Sequence, residues 1–307
     1  MQPLVTIVTS CYNHEKYLDD YFQGLLSQTY PNIELILFDD GSIDRSWQII
    51  ESYIPKLKAC FHSHICERHE NIGPLREKAL AISMVSGEFI CMLDSDDYYF
   101  PDKIQENIDY LSAHPEFGAV YSNYYDLTKE QKKSRHYRKI MPGGKIFDDL
   151  CRECFIKPVT TCFRAELFQK YVNYKEYADK GYGIGDYPLF LSLAQHAEFG
   201  YIDKPLACYR HVEGSLSRSK DAEYWVDFTD RVFRITFDYM DIYNASPKLK
   251  KYVKGLFANY LLFASVRLLF AGKPQKAWTY FRKARLLAAI AWLPVNLLKV
   301  LRRVSML

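Results

Sequence analysis

The C-terminal stretch of this chain contains no acidic residue. The last one is Asp241, and residues 242–307 hold 13 Lys/Arg against no Asp or Glu. The formal net charge of the 307 residues is only +3, so residues 1–241 stand at −10. An acidic body with a basic tail points to a nucleic-acid or membrane partner for the tail. Glycine and proline are sparse, at 14 and 13, which excludes collagen-like and low-complexity classes. Eight cysteines are too few for a disulfide scaffold, so reduced thiols in a cytosolic compartment are expected. The opening MQPLVTIVTSCYNHE lacks a basic leader, and Thr and Ser break its apolar run. It reads as a first strand rather than a signal peptide. Long apolar runs are missing too. The longest candidate, residues 286–298, contains Pro294 and Asn296 and falls short of the roughly 20 residues a spanning helix needs.

The chain is otherwise rich in core-forming residues, 49% hydrophobic and 25% charged. Residues 4–10 are β-rich, and 16–28 have helical spacing through Tyr17, Leu18, Tyr21, Phe22, Leu25 and Leu26. Residues 33–38 form a short apolar run with one interior acid and end in Asp39-Asp40-Gly41-Ser42. That segment can turn the chain and cap a helix over 46–53. A third strand is predicted over 60–66 and a helix over 74–86. The unbroken apolar strand 89–93 ends in Asp94-Ser95-Asp96-Asp97, and a helix over 101–114 starts with Pro in its first turn. Another short strand is predicted over 119–122. Alternating strands and helices predict an α/β domain with a largely parallel sheet. Residues 128–150 are polar and basic and read as a mobile loop. From about residue 221 the pattern is helical, with a helix hairpin over 256–287 turning at Ala271-Gly272-Lys273-Pro274.

Both acidic clusters lie at predicted strand ends, where α/β sheets bind their ligands. Two carboxylates two residues apart, Asp94 and Asp96, offer hard oxygen donors suited to Mg²⁺ or Mn²⁺ shared with substrate phosphates. Taken alone, the same residues also fit a solvated Asp-rich turn.

The stretch TIVTSCYNHEKYLDDYFQGLLSQTYPNIELILFDDGSIDRS, residues 6–46, resembles the start of family 2 glycosyltransferases. The resemblance continues through NIGPLREKALAISMVSGEFICMLDSDDYYFPDKI, residues 71–104, then GIGDYPLFLSLA, 183–194, and YRHVEGSLS, 209–217. Four ordered motifs spread over residues 3–217 make it specific. The resemblance implies an α/β GT-A nucleotide-sugar-binding fold with a mixed, mostly parallel sheet. It divides the chain into a catalytic domain, 1–220, and a basic helical C-terminal region, 221–307.

The resemblance also assigns roles. Tyr12 would stack on the base, bordered by the backbone near Thr9. Asp40 would accept a hydrogen bond from the uracil imide, a charge-assisted contact that reads base identity. Asp39 would orient the turn. Asp94, with Ser95 beside it, would contact the ribose or the metal, and Asp96 would be the direct ligand of Mn²⁺ or Mg²⁺. Asp97 would support this loop. Lys78 stands where the family usually has Arg and would reach a phosphate as a point charge; Ala79 replaces a common Asn. Asp186 aligns with the catalytic base, although Gly185 replaces the usual Glu, and Asp186 would also serve as a helix cap. His211 is the candidate metal or phosphate ligand, but it falls one residue early, with Val212 at the usual place. Arg210, Ser215 and Ser217 would line the diphosphate. The implied function is inverting transfer of a sugar, from UDP by preference, to a glycan or lipid-linked acceptor in cell-surface polysaccharide synthesis. A non-catalytic nucleotide-sugar-binding subunit is the alternative that the departures at Ala79 and His211 suggest.

Other signals are weaker. His62, His64 and Cys66 would share a strand face, and Cys151 and Cys154 form one isolated pair. Neither has the second ligand pair of a structural zinc site. The tail carries Lys276, Arg282, Lys283, Arg285, Lys299, Arg302 and Arg303 around an apolar run with Trp292. A basic helix with an apolar face and an aromatic suits an anionic membrane surface; packing on the catalytic domain is the other reading. Nucleic acid is not expected, since no recognised fold or aromatic-basic platform is present. The expected location is cytoplasmic, peripheral on the inner face of the plasma membrane.

Overall fold

The structure is a computed structural model and describes residues 2–128, 133–137, 139–212 and 221–291. Its contacts divide the chain into two units, residues 1–146 with 156–212, and residues 147–155 with 213–307.

The first unit begins with β1 (Val5–Cys11), α1 (Leu18–Leu26), β2 (Ile33–Asp39), α2 (Ser46–Cys60), β3 (Ser63–Arg68), α3 (Pro74–Ser83) and β4 (Phe89–Met92). All seven residues of β2 and all four of β4 are buried. That explains their unbroken apolar runs, because strands covered on both faces need no alternation. β5 (Tyr98–Tyr99), α4 (Lys103–Ala113), β6 (Phe117–Leu127) and β7 (Lys133–Arg135) follow. The helix α5 (Phe147–Arg152) belongs to the second unit. β8 (Thr161–Arg164), α6 (Ala165–Tyr171), α7 (Tyr174–Asp179), α8 (Asp186–His196) and β9 (Glu198–Arg210) complete the first.

The strands form one sheet in the order β3-β2-β1-β4-β8-β6-β9-β5, with β7 on β6. β3, β2, β1 and β4 are mutually parallel, as is the long β6–β9 ladder. β8 runs antiparallel to both of its neighbours. The sheet is therefore mixed but mostly parallel. The carboxyl ends of β1, β2 and β4 carry Tyr12-Asn13, Asp39-Asp40 and Asp94-Ser95-Asp96 to one edge.

Two expectations change. Residues 128–150 include β7, and Gly144 bridges to Phe199 through backbone bonds of 2.8 and 2.9 Å. The Tyr121 hydroxyl also donates to the Pro142 carbonyl at 2.6 Å, so residues 142–144 are pinned to the sheet; residues 129–132 and 138 of the expected loop lie outside the described residues. The helix α2 also runs on through Pro55 to Cys60, well beyond residue 53. Pro55 is exposed, and the neighbouring Ile50 and Leu57 hold the helix by their buried faces.

In the second unit, α9 (Ala222–Ile242), α10 (Pro247–Phe270) and α11 (Pro274–Ala291) follow in succession. Asp221 and Ser246 cap α9 and α10 by accepting from Tyr224 N–H and Leu249 N–H. The Tyr260 hydroxyl donates to the Val226 carbonyl at 2.9 Å, and Trp225, Phe233, Phe257 and Tyr260 form an aromatic core. Contrary to the expectation that no stretch reaches spanning length, α10 is long and apolar enough to cross a membrane by length and composition. Of its most apolar window, 56% is buried, as expected of a core helix.

Candidate active site

Side chains fasten the edge loops of β1 and β2 to each other. Asn13 sits in the left-handed region at φ 57°. Its N–H donates to the Ser42 hydroxyl at 2.9 Å, and its side-chain oxygen accepts from Ile43 N–H at 2.9 Å. The His14 N–H donates to Ser46, and the Glu15 N–H donates to Asp44. Gly41 turns at φ 74°, where a Cβ would lie 2.9 Å from the Asn71 nitrogen; only glycine fits.

The Asp39 carboxylate is fully buried, accepts from Ser42 N–H at 2.8 Å and lies 3.6 Å from Arg68, the arrangement of a turn-orienting acid. Asp40 accepts from the backbone N–H groups of Ile72 and Gly73 at 2.7 and 3.0 Å. Tyr12 is 46% exposed beside this loop, open to a planar ligand. Thr9 is buried and accepts from the Tyr21 hydroxyl at 2.7 Å, leaving its backbone to border the edge. Burial lifts the Glu77 carboxyl, behind this corner, to about 8, and the Asp40 and Asp39 charges add to the effect.

The Asp-x-Asp loop follows β4. Ser95 is buried; its hydroxyl donates to the Ser10 carbonyl at 3.0 Å and lies 2.7 Å from Nδ1 of His14. Ser95 is thus a hinge pin for the loop. Burial raises the Asp96 carboxyl above its ordinary value, with Asp94 adding repulsion and His14 opposing it. Asp97 is buried and accepts from the Arg210 N–H at 2.7 Å. The Arg210 guanidinium donates to the Asp96 carbonyl at 2.9 Å and pairs with Asp20. It therefore braces the loop from β9. Ser215 and Ser217 lie outside the described residues.

Lys78 unites residues far apart in sequence. Its ammonium is buried, 3.3 Å from Asp94 and 3.4 Å from Asp186. Both carboxylates hold the Lys78 ammonium well above its ordinary value against the pull of burial. Burial raises Asp186 in turn, and Lys78 opposes that rise. Asp186 is the first residue of α8 and Gly185 holds the N-cap position, so Asp186 is not the cap the sequence suggested; its carboxylate lies against Lys78 instead. A Cβ at Gly185 would come within 2.8 Å of both Leu75 and Tyr174. That crowding gives the physical reason why glycine stands there.

His211 pairs with a different carboxylate. Its Nε2 lies 2.7 Å from Asp126, which also pairs with His136. Burial alone would raise Asp126; hydrogen bonds from His136 and His211 outweigh it and hold the carboxyl below the usual range. Sequence reasoning missed Asp126 and His136, and no motif marks them.

Residues 6–172 match the model of glycosyl transferase family 2. The chain belongs to that family. Among its curated relatives is the Escherichia coli UDP-Glc:alpha-D-GlcNAc-diphosphoundecaprenol beta-1,3-glucosyltransferase WfaP, 34% identical over 122 residues, covering 40% of this chain and 46% of that protein. The chain thus spans less than half the length of that relative. The fold resembles the S. aureus TarS fragment in complex with UDP-GlcNAc, with a TM-score of 0.57 at 15% identity, covering 95% of this chain and 93% of the other. It also resembles the Pyrobaculum calidifontis mannosyltransferase PcManGT in complex with GDP-Man and Mn²⁺, with a TM-score of 0.58 at 14% identity, covering 100% and 86%. The family 2 chain therefore has a GT-A fold.

Asp94 and Asp96 place two carboxylates, hard oxygen donors of the kind Mg²⁺ and Mn²⁺ take, in one loop, with Asp94 also 3.3 Å from the Lys78 ammonium. No group of three His, Cys, Asp or Glu side chains able to hold a metal occurs among the described residues, so substrate phosphates would complete the shell, as is usual for Mg²⁺.

Proposed function

We propose that this family 2 enzyme transfers a sugar from a UDP-sugar, with inversion, to a hydroxyl of a lipid-linked glycan in cell-surface polysaccharide synthesis. The observation that carries the reading is the Lys78 bridge between Asp94 and Asp186. It brings a donor-side carboxylate and a base within one buried cation's reach. WfaP's named acceptor, a diphosphoundecaprenol-linked sugar, supports the acceptor class.

In this mechanism Tyr12 stacks on uracil and Asp40 accepts from its imide, using lone pairs beyond those facing Ile72 and Gly73. Asp94 and Asp96 would hold Mn²⁺ or Mg²⁺. When bound, the ion neutralises charge on the diphosphate. Asp186 accepts the proton of the acceptor hydroxyl as its oxygen attacks the anomeric carbon. The bond to the diphosphate oxygen breaks on the opposite face, and the nucleoside diphosphate leaves with that electron pair. Lys78 keeps Asp186 ionised for this step. His211 belongs with Asp126 in this reading and reaches a metal or phosphate only if that pairing opens. The acidic catalytic domain, 1–220, works at the inner face of the plasma membrane, and the basic region, 221–307, holds to its anionic surface.

Asp186→Asn is expected to keep UDP binding while transfer falls about 10²–10⁴-fold. Asp96→Ala, like chelation, is expected to abolish metal-dependent UDP binding measured by calorimetry. Equal loss of binding and transfer in Asp186→Asn would remove the base assignment.

A further inference from the structure

Five of the large exposed hydrophobic side chains fall within 21 residues at the α10–α11 turn: Val266, Leu269, Phe270, Trp278 and Leu286. Phe270 is 89% exposed, more than any other large apolar residue described, and it precedes the turn directly. Soluble surfaces scatter such residues singly; a cluster marks an interaction surface.

The helix periodicity of α11 sorts its charges. Ala277 and Ala284 are buried and mark its inner face. Lys276 pairs with Glu223 of α9, as does Lys273 in the turn, and Lys283 acts on Asp230. These lysines look back to α9. Trp278, Arg282, Arg285 and Leu286 fall together on the outer side at 3.6-residue spacing, and all four are exposed. Trp278 and Phe281 stack at 5.6 Å. This outer face combines arginine, tryptophan and leucine with no acid, beside an apolar turn.

We infer that this hairpin turn and the outer face of α11 form a docking surface for an anionic phospholipid bilayer, with Phe270 and Trp278 entering the headgroup boundary and Arg282 and Arg285 paired with lipid phosphates. This rests on the reading of the C-terminal region as membrane-facing and names the surface that makes the contact. Charge complementarity selects the occupant. With 13 bases and no acid in residues 242–307, a second copy would place like charges against each other, whereas an anionic leaflet attracts each base. The tryptophan supplies an amphipathic ring suited to the interface, and arginine stems cover apolar surface while their heads stay wet.

The test is flotation of the full-length protein with phosphatidylglycerol-containing vesicles and with pure phosphatidylcholine vesicles. Binding is expected to the first and to fall at least about tenfold for the double variants Phe270→Ser/Trp278→Ser and Arg282→Glu/Arg285→Glu. In a Trp292→Phe background, brominated lipid is expected to quench tryptophan emission, and Trp278→Phe to remove the quenching. Circular dichroism and UDP binding check that the variants fold. Unchanged flotation in both double variants would overturn the surface. So would a dimer in solution that the Phe270→Ser/Trp278→Ser variant dissociates without any vesicle binding by the parent. UDP-sugar hydrolysis without vesicles is scored separately, so a failed bilayer contact and a failed transferase reading give different patterns.

Discussion

Lys78 shows how one residue acquires a role that its sequence position does not announce. A lysine in a predicted helix is ordinarily solvated, but here it is buried between Asp94 and Asp186. Its partners lie 16 and 108 positions away, so only the fold reveals them. The consequence is a pH effect with a definite sign. Asp186 works as a base in its ionised form, burial raises its pKa, and Lys78 lowers it. Activity therefore falls as pH drops through the Asp186 value. Lys78→Met is expected to move the acid limb of kcat/KM upward by about one unit or more, and Lys78→Arg to leave it near the parent. An unmoved limb in Lys78→Met would separate Lys78 from the base. Gly185 was legible only as a departure; the contacts with Leu75 and Tyr174 explain it. His211 stood out in the sequence as a candidate ligand, but its partner Asp126 lies 85 residues upstream on β6.

At the scale of elements, the apolar run of β2 contains one acid, Glu34, which is a local conflict in the sequence. The fold resolves it. Glu34 accepts from the Ser86 N–H at 3.0 Å, and from the hydroxyls of Thr6, Ser63 and Ser86, tying β1, β2 and β3 to the turn before β4. Burial alone would raise this carboxyl; these hydrogen bonds outweigh it and lower its pKa. A depressed carboxyl contributes stability above its unfolded value, about 4.3, and the contribution is lost as pH falls through the folded value. Glu34→Gln is expected to cost about 2 kcal/mol at pH 7, with the difference shrinking below about pH 4. Urea midpoints at the two pH values check it. The main strands and helices up to residue 122 and the helices after 221 were legible because their periodicities are strong; β5, β7, β9 and the short helices α5, α6 and α7 were not. β8 and its reversal of direction were not, since its four residues carry no turn or pattern that fixes their partners.

At the scale of the molecule, the near-neutral net charge conceals a division of labour. The acidic portion contains the GT-A sheet, with the Asp39-Asp40 and Asp94–Asp97 clusters at one edge. The basic portion contains a helix hairpin whose outer face has arginine, tryptophan and leucine. The charge division was visible in the sequence; which basic residues face α9 and which face outward was not, because that depends on how α11 is rotated. Inversion at a UDP-sugar can be read without an acceptor. Proton NMR of UDP-α-D-glucose and related UDP-sugars, incubated with the protein and Mn²⁺, follows the anomer first released by slow hydrolysis. The β-anomer is expected first, before mutarotation; release of the α-anomer first, or no turnover of any UDP-sugar, would rule out inverting transfer from a UDP-sugar.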